Sequence, residues 1–162
     1  RIGRGGKVFV LLKFRSMIPN ASSQGKKYYF DGENDPRITR VGKVLRKLSL
    51  DEVPQLINVL RGDMSVIGPR PMLLYQYEYL THEQKRRFSV RPGITGLAQV
   101  EGRDNLPWSE RFVLDLEYVD GLSLWMDLHI ILQTVVVCFE RKDIAYDLEP
   151  EQVEDFIPSS KR

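Results

Sequence analysis

Residues 7–14 are predicted to form a β-strand, in which successive side chains alternate between two faces. The apolar positions on one side are Val8, Val10, Leu12 and Phe14. Lys13 and Arg15 share the opposite side, where two cations can meet one anionic group. A strand edge protected by charge is the other interpretation. A second short strand is predicted over residues 94–100.

Apolar residues recur every three or four positions in several other stretches, which predicts helices over residues 38–48, 72–88, 108–119 and 122–139. The first of these carries the apolar stripe Ile38, Val41, Val44, Leu45 and Leu48. We therefore expect an α+β fold, a mostly helical single domain with a few short strands. No alternating βαβ pattern is present, so a Rossmann-type fold is not expected.

The last predicted helix is the most apolar, but Asp127, His129 and Gln133 interrupt it. No apolar run is long enough to span a bilayer. Asp127 has two interpretations, a buried functional acid or a charge at a helix N-terminus.

Adjacent carboxylates, Asp51 and Glu52, precede the helical pattern that ends near residue 60. Ser49 and Glu52 match the Ser-x-x-Glu capping box, in which Glu52 needs no further role. Pro54 has no N–H and is tolerated only in the first helical turn, which favours a helix start at or near Asp51. Both acids would then lie at a helix N-terminus, where anions are favoured. Arg46 precedes Asp51 by about one and a half turns and is a candidate for the same pocket.

Several turns and loops are predicted after the two acids and elsewhere in the chain, and one of them presents a candidate phosphate-binding arginine. Gly62 is a plausible glycine cap for the helix after Pro54. The loop Gly68-Pro69-Arg70-Pro71 is rigid and presents one arginine, which matches phosphate oxygens in a bidentate way. A tight turn whose arginine faces water is the alternative. A surface loop is predicted over residues 20–35 and a turn over residues 102–105.

Charge is distributed unevenly over the 162 residues. Residues 1–50 hold 12 Lys or Arg and 3 Asp or Glu, while the rest hold 12 and 19. The basic part suggests an anionic partner, and a solvated face that balances the acidic part is the alternative. Six acids and no lysine or arginine lie in residues 143–155, so residues 143–162 are predicted to form a mobile acidic tail. The single cysteine excludes an internal disulfide and a cysteine-based zinc site.

Four segments together resemble one family, the bacterial sugar transferases, also called monotopic phosphoglycosyl transferases. They are LKFRSM at residues 12–17, SLDEVPQL at 49–56, GDMSVIGPRP at 62–71 and RPGITG at 91–96. Each segment is weak alone, but their order is specific. The resemblance runs from about Arg1 to Asp143, and we expect residues 1–142 to be the catalytic domain.

The resemblance implies a reaction and a set of residues. Such enzymes transfer a phospho-sugar from a UDP-sugar to a polyprenol phosphate, release UMP, and begin surface glycan assembly. They depend on Mg²⁺. By position in the motif, Asp51 would be the nucleophile that forms a covalent phosphosugar intermediate, and Glu52 would be a Mg²⁺ ligand. The residues implied for substrate binding or support of the site are Lys13, Arg15, Arg46, Arg70, Arg103 and Asp127.

The family also carries a membrane-entering hairpin upstream of the segment that matches residues 1–7. We expect a soluble or peripheral catalytic fragment at the cytoplasmic face of a bacterial inner membrane. A second hypothesis is a non-catalytic module that binds an anionic membrane surface or nucleic acid, motivated by the basic residues 1–50 and by Lys26 to Phe30. No recognised nucleic-acid signature is present, so we expect no nucleic-acid partner.

Overall fold

The computed structural model describes residues 1–21, 35–102, 106–140 and 156–157. Within these ranges the chain is mostly helical, as predicted. The α-helices are α1 (Arg40–Lys47), α2 (Gln55–Leu60), α3 (Leu97–Glu101), α4 (Trp108–Asp120) and α5 (Leu124–Glu140). Short 3-10 helices lie at Arg4–Gly6, Leu50–Glu52, Leu74–Tyr79 and Gln84–Ser89. None of the helices in the described ranges has the length and hydropathy that crossing a membrane requires.

Two strands form a small parallel sheet. β1 (Ser65–Ile67) pairs with β2 (Gly93–Thr95), with Ser65 opposite Gly93 and Ile67 opposite Thr95. A parallel pair needs a long crossover, and here the chain makes it through the two 3-10 helices at Leu74–Tyr79 and Gln84–Ser89. The helical character predicted over residues 72–88 is therefore confirmed, but as two separate 3-10 helices and not as one continuous helix. The sheet supports the α+β assignment and gives no Rossmann-type fold.

Two groups of buried apolar side chains hold these elements together. One contains Ile2, Met72, Leu80, Phe88, Trp108 and Phe112, with Tyr77 and Phe156 packed against it. The other contains Ile67, Leu97, Tyr118 and Ile130. The first group joins the chain start, the crossover and α4, and the second joins the sheet to α3, α4 and α5.

Phe156 and Ile157 correct the prediction for the C-terminal tail at two positions. Ile157 is buried, and the ring of Phe156 lies edge-on to Phe112 at 5.1 Å between centroids. These two residues are packed onto the core rather than extended into solvent. The other residues of the predicted tail lie outside the described ranges.

Residues 7–14 are extended, as the alternation predicts, but they do not form a strand. No strand pairs with them in the described ranges, and only Val8 makes an isolated bridge, to Ile2. The side chain of Asn58 on α2 replaces the missing neighbour: its Oδ1 accepts from Leu12 N at 3.0 Å, and its Nδ2 donates to Val10 O at 2.8 Å. One buried amide thus bonds Leu12 N and Val10 O, and the apolar side chains of Val8 and Val10 are exposed.

The predictions for the remaining elements had mixed outcomes. The helices over residues 108–119 and 122–139 are confirmed as α4 and α5, and α1 confirms the helix that follows Asp35. The predicted strand over 94–100 was wrong beyond Thr95, because the chain turns into α3 at Leu97. Residues 22–34, including Lys26 to Phe30, and residues 103–105 of the predicted turn lie outside the described ranges.

Candidate active site

Asp51 and Glu52 lie in the 3-10 turn Leu50–Glu52, between α1 and α2. Ser49 precedes the turn in a left-handed conformation (φ 54°), and its hydroxyl makes no capping hydrogen bond. The capping-box alternative was therefore wrong: among the described contacts, Glu52 reaches two cations instead of the backbone.

The predicted helix start at Asp51 was also wrong, because α2 begins at Gln55 with Pro54 as its cap. Pro54 has no N–H to donate to the carbonyl four residues earlier. The chain instead makes three-residue turns, with Val53 N donating to Leu50 O at 3.2 Å and Ile57 N donating to Pro54 O at 3.1 Å. Proline thus separates the turn that carries the acids from the helix that follows it. Gly62, after the end of α2, has φ 79° and confirms the predicted glycine cap.

Glu52 is held by two of the predicted cations. Lys13 Nζ lies 2.5 Å and Arg70 Nη2 lies 3.1 Å from the same oxygen, Oε1. Burial tends to raise the pKa of Glu52, but the charges of Arg70 and Lys13 outweigh it, so the pKa lies below its ordinary value of 4.5. Glu52 is therefore an ionised carboxylate at neutral pH.

Asp51 has different surroundings. It is half-buried, and its main-chain carbonyl accepts from Phe14 N at 3.0 Å, which ties the turn to the segment carrying Lys13. Its carboxylate makes no hydrogen bond or ion pair with any residue in the described ranges. One acid of the pair is therefore clamped by cations, while its neighbour is available for other chemistry.

The loop that presents Arg70 is pressed against the start of β2. Gly68 N donates to Thr95 O at 2.9 Å, and Gly93 N donates to Pro69 O at 3.0 Å. A Cβ on Gly93 would lie 2.2 Å from Gly68 N, and one on Gly96 would lie 2.2 Å from Gly68 O. The glycines of RPGITG are thus required for close packing of this loop, and the rigid turn predicted at residues 68–71 is confirmed.

A further cation, Arg1, interacts electrostatically with Arg70 and Glu52 and was not singled out by sequence reasoning. Burial, followed by the charge of Arg70, lowers the pKa of the Arg1 side chain, and Glu52 partly opposes this. Lys13, Arg70 and Arg1 thus give three positive charges against the two carboxylates of Asp51 and Glu52. The balance of +1 favours an anion at this position.

The other predicted site residues lie elsewhere or bond elsewhere. Arg46 Nε donates to Ser16 Oγ at 2.8 Å, which fixes α1 to the segment that follows Lys13. Arg15 is exposed and makes no ion pair or hydrogen bond within the described ranges. Arg103 lies outside those ranges. The roles of all three in substrate binding stay predictions.

Asp127 lies in the first turn of α5, which agrees with its interpretation as a charge at a helix N-terminus. Its Oδ1 accepts a hydrogen bond from Tyr118 Oη at 3.0 Å. Burial and this hydrogen bond raise the pKa of Tyr118. The contact joins α4 to α5, and its role in support of a metal site stays a prediction.

Sequence reasoning missed a buried ion pair beneath the Arg70 loop. Arg87 Nη2 lies 2.6 Å from Asp115 Oδ2, and both side chains are almost fully buried. Arg87 belongs to the run Lys85-Arg86-Arg87, where nothing in the sequence distinguishes it from its less buried neighbours. Asp115 carried a signal, since it follows Phe112 by three positions and therefore lies on the inner face of α4.

Comparisons with known proteins identify the family of the chain. The sequence profile described as bacterial sugar transferase matches residues 1–141. The chain is 46% identical over 147 residues to the galactosyl transferase CpsE of Streptococcus agalactiae, covering 85% of this chain and 33% of that protein. It is 42% identical over 159 residues to the undecaprenyl-phosphate galactose phosphotransferase of Salmonella typhimurium, covering 90% of this chain and 33% of that protein.

A third relative is the UDP-glucose:undecaprenyl-phosphate glucose-1-phosphate transferase of Caulobacter vibrioides. It is 44% identical over 143 residues, covering 83% of this chain and 53% of that protein. The chain thus spans between a third and about half of the length of these relatives. Because the profile matches nearly the whole described chain, the protein belongs to the bacterial sugar transferase family.

Proposed function

We propose that the chain carries the catalytic site of a phosphoglycosyl transferase. It transfers a phospho-sugar from a UDP-sugar to a polyprenol phosphate and releases UMP, in the first membrane step of surface glycan synthesis. The observation that carries the proposal is the carboxylate pair, in which Asp51 is unpaired within the described residues beside a Glu52 held by Lys13 and Arg70. The names of the Salmonella and Caulobacter relatives, which state transfer to undecaprenyl phosphate, support it.

Asp51 is the nucleophile in this proposal. An oxygen of its carboxylate attacks the β-phosphorus of the UDP-sugar, and the bond from that phosphorus to the bridging oxygen breaks. UMP leaves with the electron pair, and the phospho-sugar remains bound to Asp51. An oxygen of polyprenol phosphate then attacks the same phosphorus, the bond to Asp51 breaks, and the free carboxylate returns.

The cations around Glu52 support the transfer step. A carboxylate is poorly placed to attack a dianionic pyrophosphate unless positive charge offsets the repulsion. Lys13 and Arg70 provide that charge in direct contact with Glu52, and Arg1 adds to it electrostatically. Arginine and lysine can also stabilise the charge that develops on the leaving UMP.

Mg²⁺ fits this site only as an ion shared with substrate phosphates. The described residues hold no cluster of three or more potential ligands from histidine, cysteine, aspartate and glutamate. Mg²⁺ commonly uses one or two carboxylates, water and substrate phosphate oxygens. Glu52 would hold the ion, and Lys13 and Arg70 would then be freed to face the phosphates. When bound, the ion would neutralise charge on the pyrophosphate.

The lipid acceptor requires contact with a bilayer, which we place at the cytoplasmic face of the bacterial inner membrane. Apolar side chains are exposed on two segments that lie beside the site, the extended residues 7–14 and α1. Val10 is 76% exposed and Val41 is 69% exposed. Helix α1 also carries Arg40, Lys43, Arg46 and Lys47. Apolar side chains with neighbouring cations suit an anionic membrane surface.

Asp51→Asn tests the nucleophile. We expect UMP release from a panel of UDP-sugars, with Mg²⁺ and a polyprenol phosphate in detergent, to fall at least about a thousandfold. A donor labelled with ³²P in its β-phosphate should leave acid-stable label on the wild-type chain and none on the variant. The free energy of unfolding should change by less than about 0.5 kcal/mol, because Asp51 makes no ion pair within the described residues.

Asp120→Asn is the matched control, since Asp120 is exposed at the end of α4 and pairs with Arg86. It should keep full turnover and full labelling. Undiminished UMP release by Asp51→Asn would show that another residue is the nucleophile.

A further inference from the structure

The buried Arg87–Asp115 pair connects the core to the active-site loop. Arg87 lies on the 3-10 helix Gln84–Ser89 and Asp115 on α4. Besides its contact with Asp115, Arg87 Nη2 donates to the main-chain carbonyl of Arg70 at 2.9 Å. Arg70 in turn donates from Nη2 to Glu52 Oε1 at 3.1 Å. An unbroken series of polar contacts therefore runs from the core to the carboxylate pair.

The backbone of Arg70 is constrained, so the side chain cannot easily keep its place if the main-chain carbonyl moves. Pro69 and Pro71 fix the backbone on both sides of it, and Gly68 and Gly93 pack too closely to admit a Cβ. A displacement of the carbonyl would therefore carry the whole residue, including the guanidinium that contacts Glu52.

Burial of this pair is only partly compensated, because aromatic rings face the guanidinium while some polar atoms of Arg87 and Asp115 lack a hydrogen bond within the described residues. Arg87 Nε and Nη1 are buried and have no hydrogen-bond partner in the described part of the chain. Its guanidinium carbon lies 5.5 Å from the ring centroid of Trp108 and 5.6 Å from that of Phe112. Burial raises the pKa of Asp115, and the charge of Arg87 opposes this. Apolar residues of similar volume often stabilise such a core equally well, so the specific contact that they cannot make is the donation to Arg70.

We propose that Arg87, held in place by Asp115, is a positioning residue that sets Arg70 against the carboxylate pair. This inference rests on the proposed function, because it assigns Arg87 a role in that reaction without contact to substrate. Arg87 acts through the backbone of Arg70, so its removal should impair turnover more than it impairs binding of the donor.

The double variant Arg87→Met/Asp115→Leu distinguishes the placement of Arg70 from the stability of the fold. It removes both charges, and with them the contact to Arg70, but keeps the core filled. We expect it to melt within a few degrees of the wild type, while kcat for UMP release falls about 10- to 100-fold and KM for the donor changes much less. Arg86→Met is the matched control. Arg86 precedes Arg87, is 41% exposed and pairs only with Glu83 and Asp120 among the described residues, so kcat should stay unchanged.

A double-mutant test shows whether the effect of the Arg87–Asp115 pair on turnover passes through Arg70. In an Arg70→Ala background, the same double substitution should cause no further loss of kcat, because the residue through which it acts is gone. Full turnover of the double variant, or a loss of equal size in both backgrounds, would show that the pair serves the core only.

A spectroscopic measurement tests the position of Arg70 independently of activity. In the chain labelled with [¹⁵N]arginine, the Nε–Hε signal of Arg70 is identified as the one lost in Arg70→Lys. We expect that signal to shift in the double variant in the same direction as in Glu52→Gln. If the double variant fails to fold, Asp115→Asn serves instead, with a smaller shift of the same sign. An unchanged Arg70 signal overturns the inference, whereas absent UMP release by the wild type overturns only the proposed function.

Discussion

Two adjacent carboxylates have different environments because they lie on a tight turn rather than in the interior of a long helix. Neighbouring side chains on a helical turn point roughly 100° to 120° apart. Glu52 therefore faces Lys13 and Arg70, while Asp51 does not. The two cations share one oxygen of Glu52, Oε1, so their pairing is confined to one acid of the pair.

Glu52→Gln should change the pH dependence of stability. The pKa of Glu52 is lowered in the folded chain, so its ionised form stabilises the fold above the unfolded value of 4.5. That contribution disappears as the pH falls through the lower, folded pKa. The difference in unfolding free energy between wild type and variant should therefore be constant well above pH 4.5 and shrink as the pH falls below 4.5. Urea unfolding without divalent cations measures it.

Glu117→Gln is the control for this titration, because Glu117 is exposed on α4. Its difference from wild type should stay within about 0.5 kcal/mol throughout. A Glu52→Gln difference that does not vary with pH would show that Arg70 and Lys13 do not hold the carboxylate in solution.

The contacts around the acids could be predicted from sequence only in part. Motif order pointed to Lys13 and Arg70, and both meet Glu52. The sequence alone could not show that Arg87 is buried and Arg86 is not, because that depends on where Asp115 lies in the folded chain.

At the scale of elements, long periodic segments were predictable and short paired ones were not. α4 and α5 bury apolar faces whose spacing is visible in the sequence. β1 and β2 have three residues each, and their pairing crosses the whole 3-10 segment between them, so no local pattern indicates it. The alternation of faces over residues 7–14 indicated extended backbone correctly, but Leu12 N and Val10 O bond to one buried side chain, Asn58, instead of a neighbouring strand.

Gly42 shows how α1 is attached to the segment that supplies Lys13. A Cβ at Gly42 would lie 1.9 Å from Ser16 O, the carbonyl that accepts from Thr39 N at 3.0 Å. In an exposed helix Gly→Ala stabilises by about 1 kcal/mol. Here we expect Gly42→Ala to destabilise by about 1–3 kcal/mol in urea unfolding, because α1 must move away from Ser16.

Lys43→Ala is the control for that substitution, since Lys43 is exposed on the same helix. It should change stability by less than about 0.5 kcal/mol. If Gly42→Ala were stabilising, the close contact between α1 and Ser16 would not exist in solution.

At the scale of the whole molecule, the core and the basic surface lie in different parts of the chain. The buried apolar groups are built mainly from the crossover, the sheet and helices α3 to α5, with Phe156 and Ile157 added from the C-terminal end. The first 50 residues contribute little to that core, although they hold half of the lysines and arginines. This distribution leaves the basic segments, with their exposed valines, available for a surface contact.

Binding to lipid vesicles tests that contact. We expect the chain to cosediment with vesicles of anionic phospholipid, and Val10→Ser and Val41→Ser each to lower the partition coefficient about fivefold, for loss of about 1 kcal/mol of apolar burial. Val113→Ser is the matched control, because Val113 is 65% exposed on α4. Added salt should weaken the binding of all variants, since the cations of α1 contribute separately. If Val113→Ser lowered the partition coefficient as much as the other two substitutions, the membrane-facing surface would not be the one formed by residues 7–14 and α1.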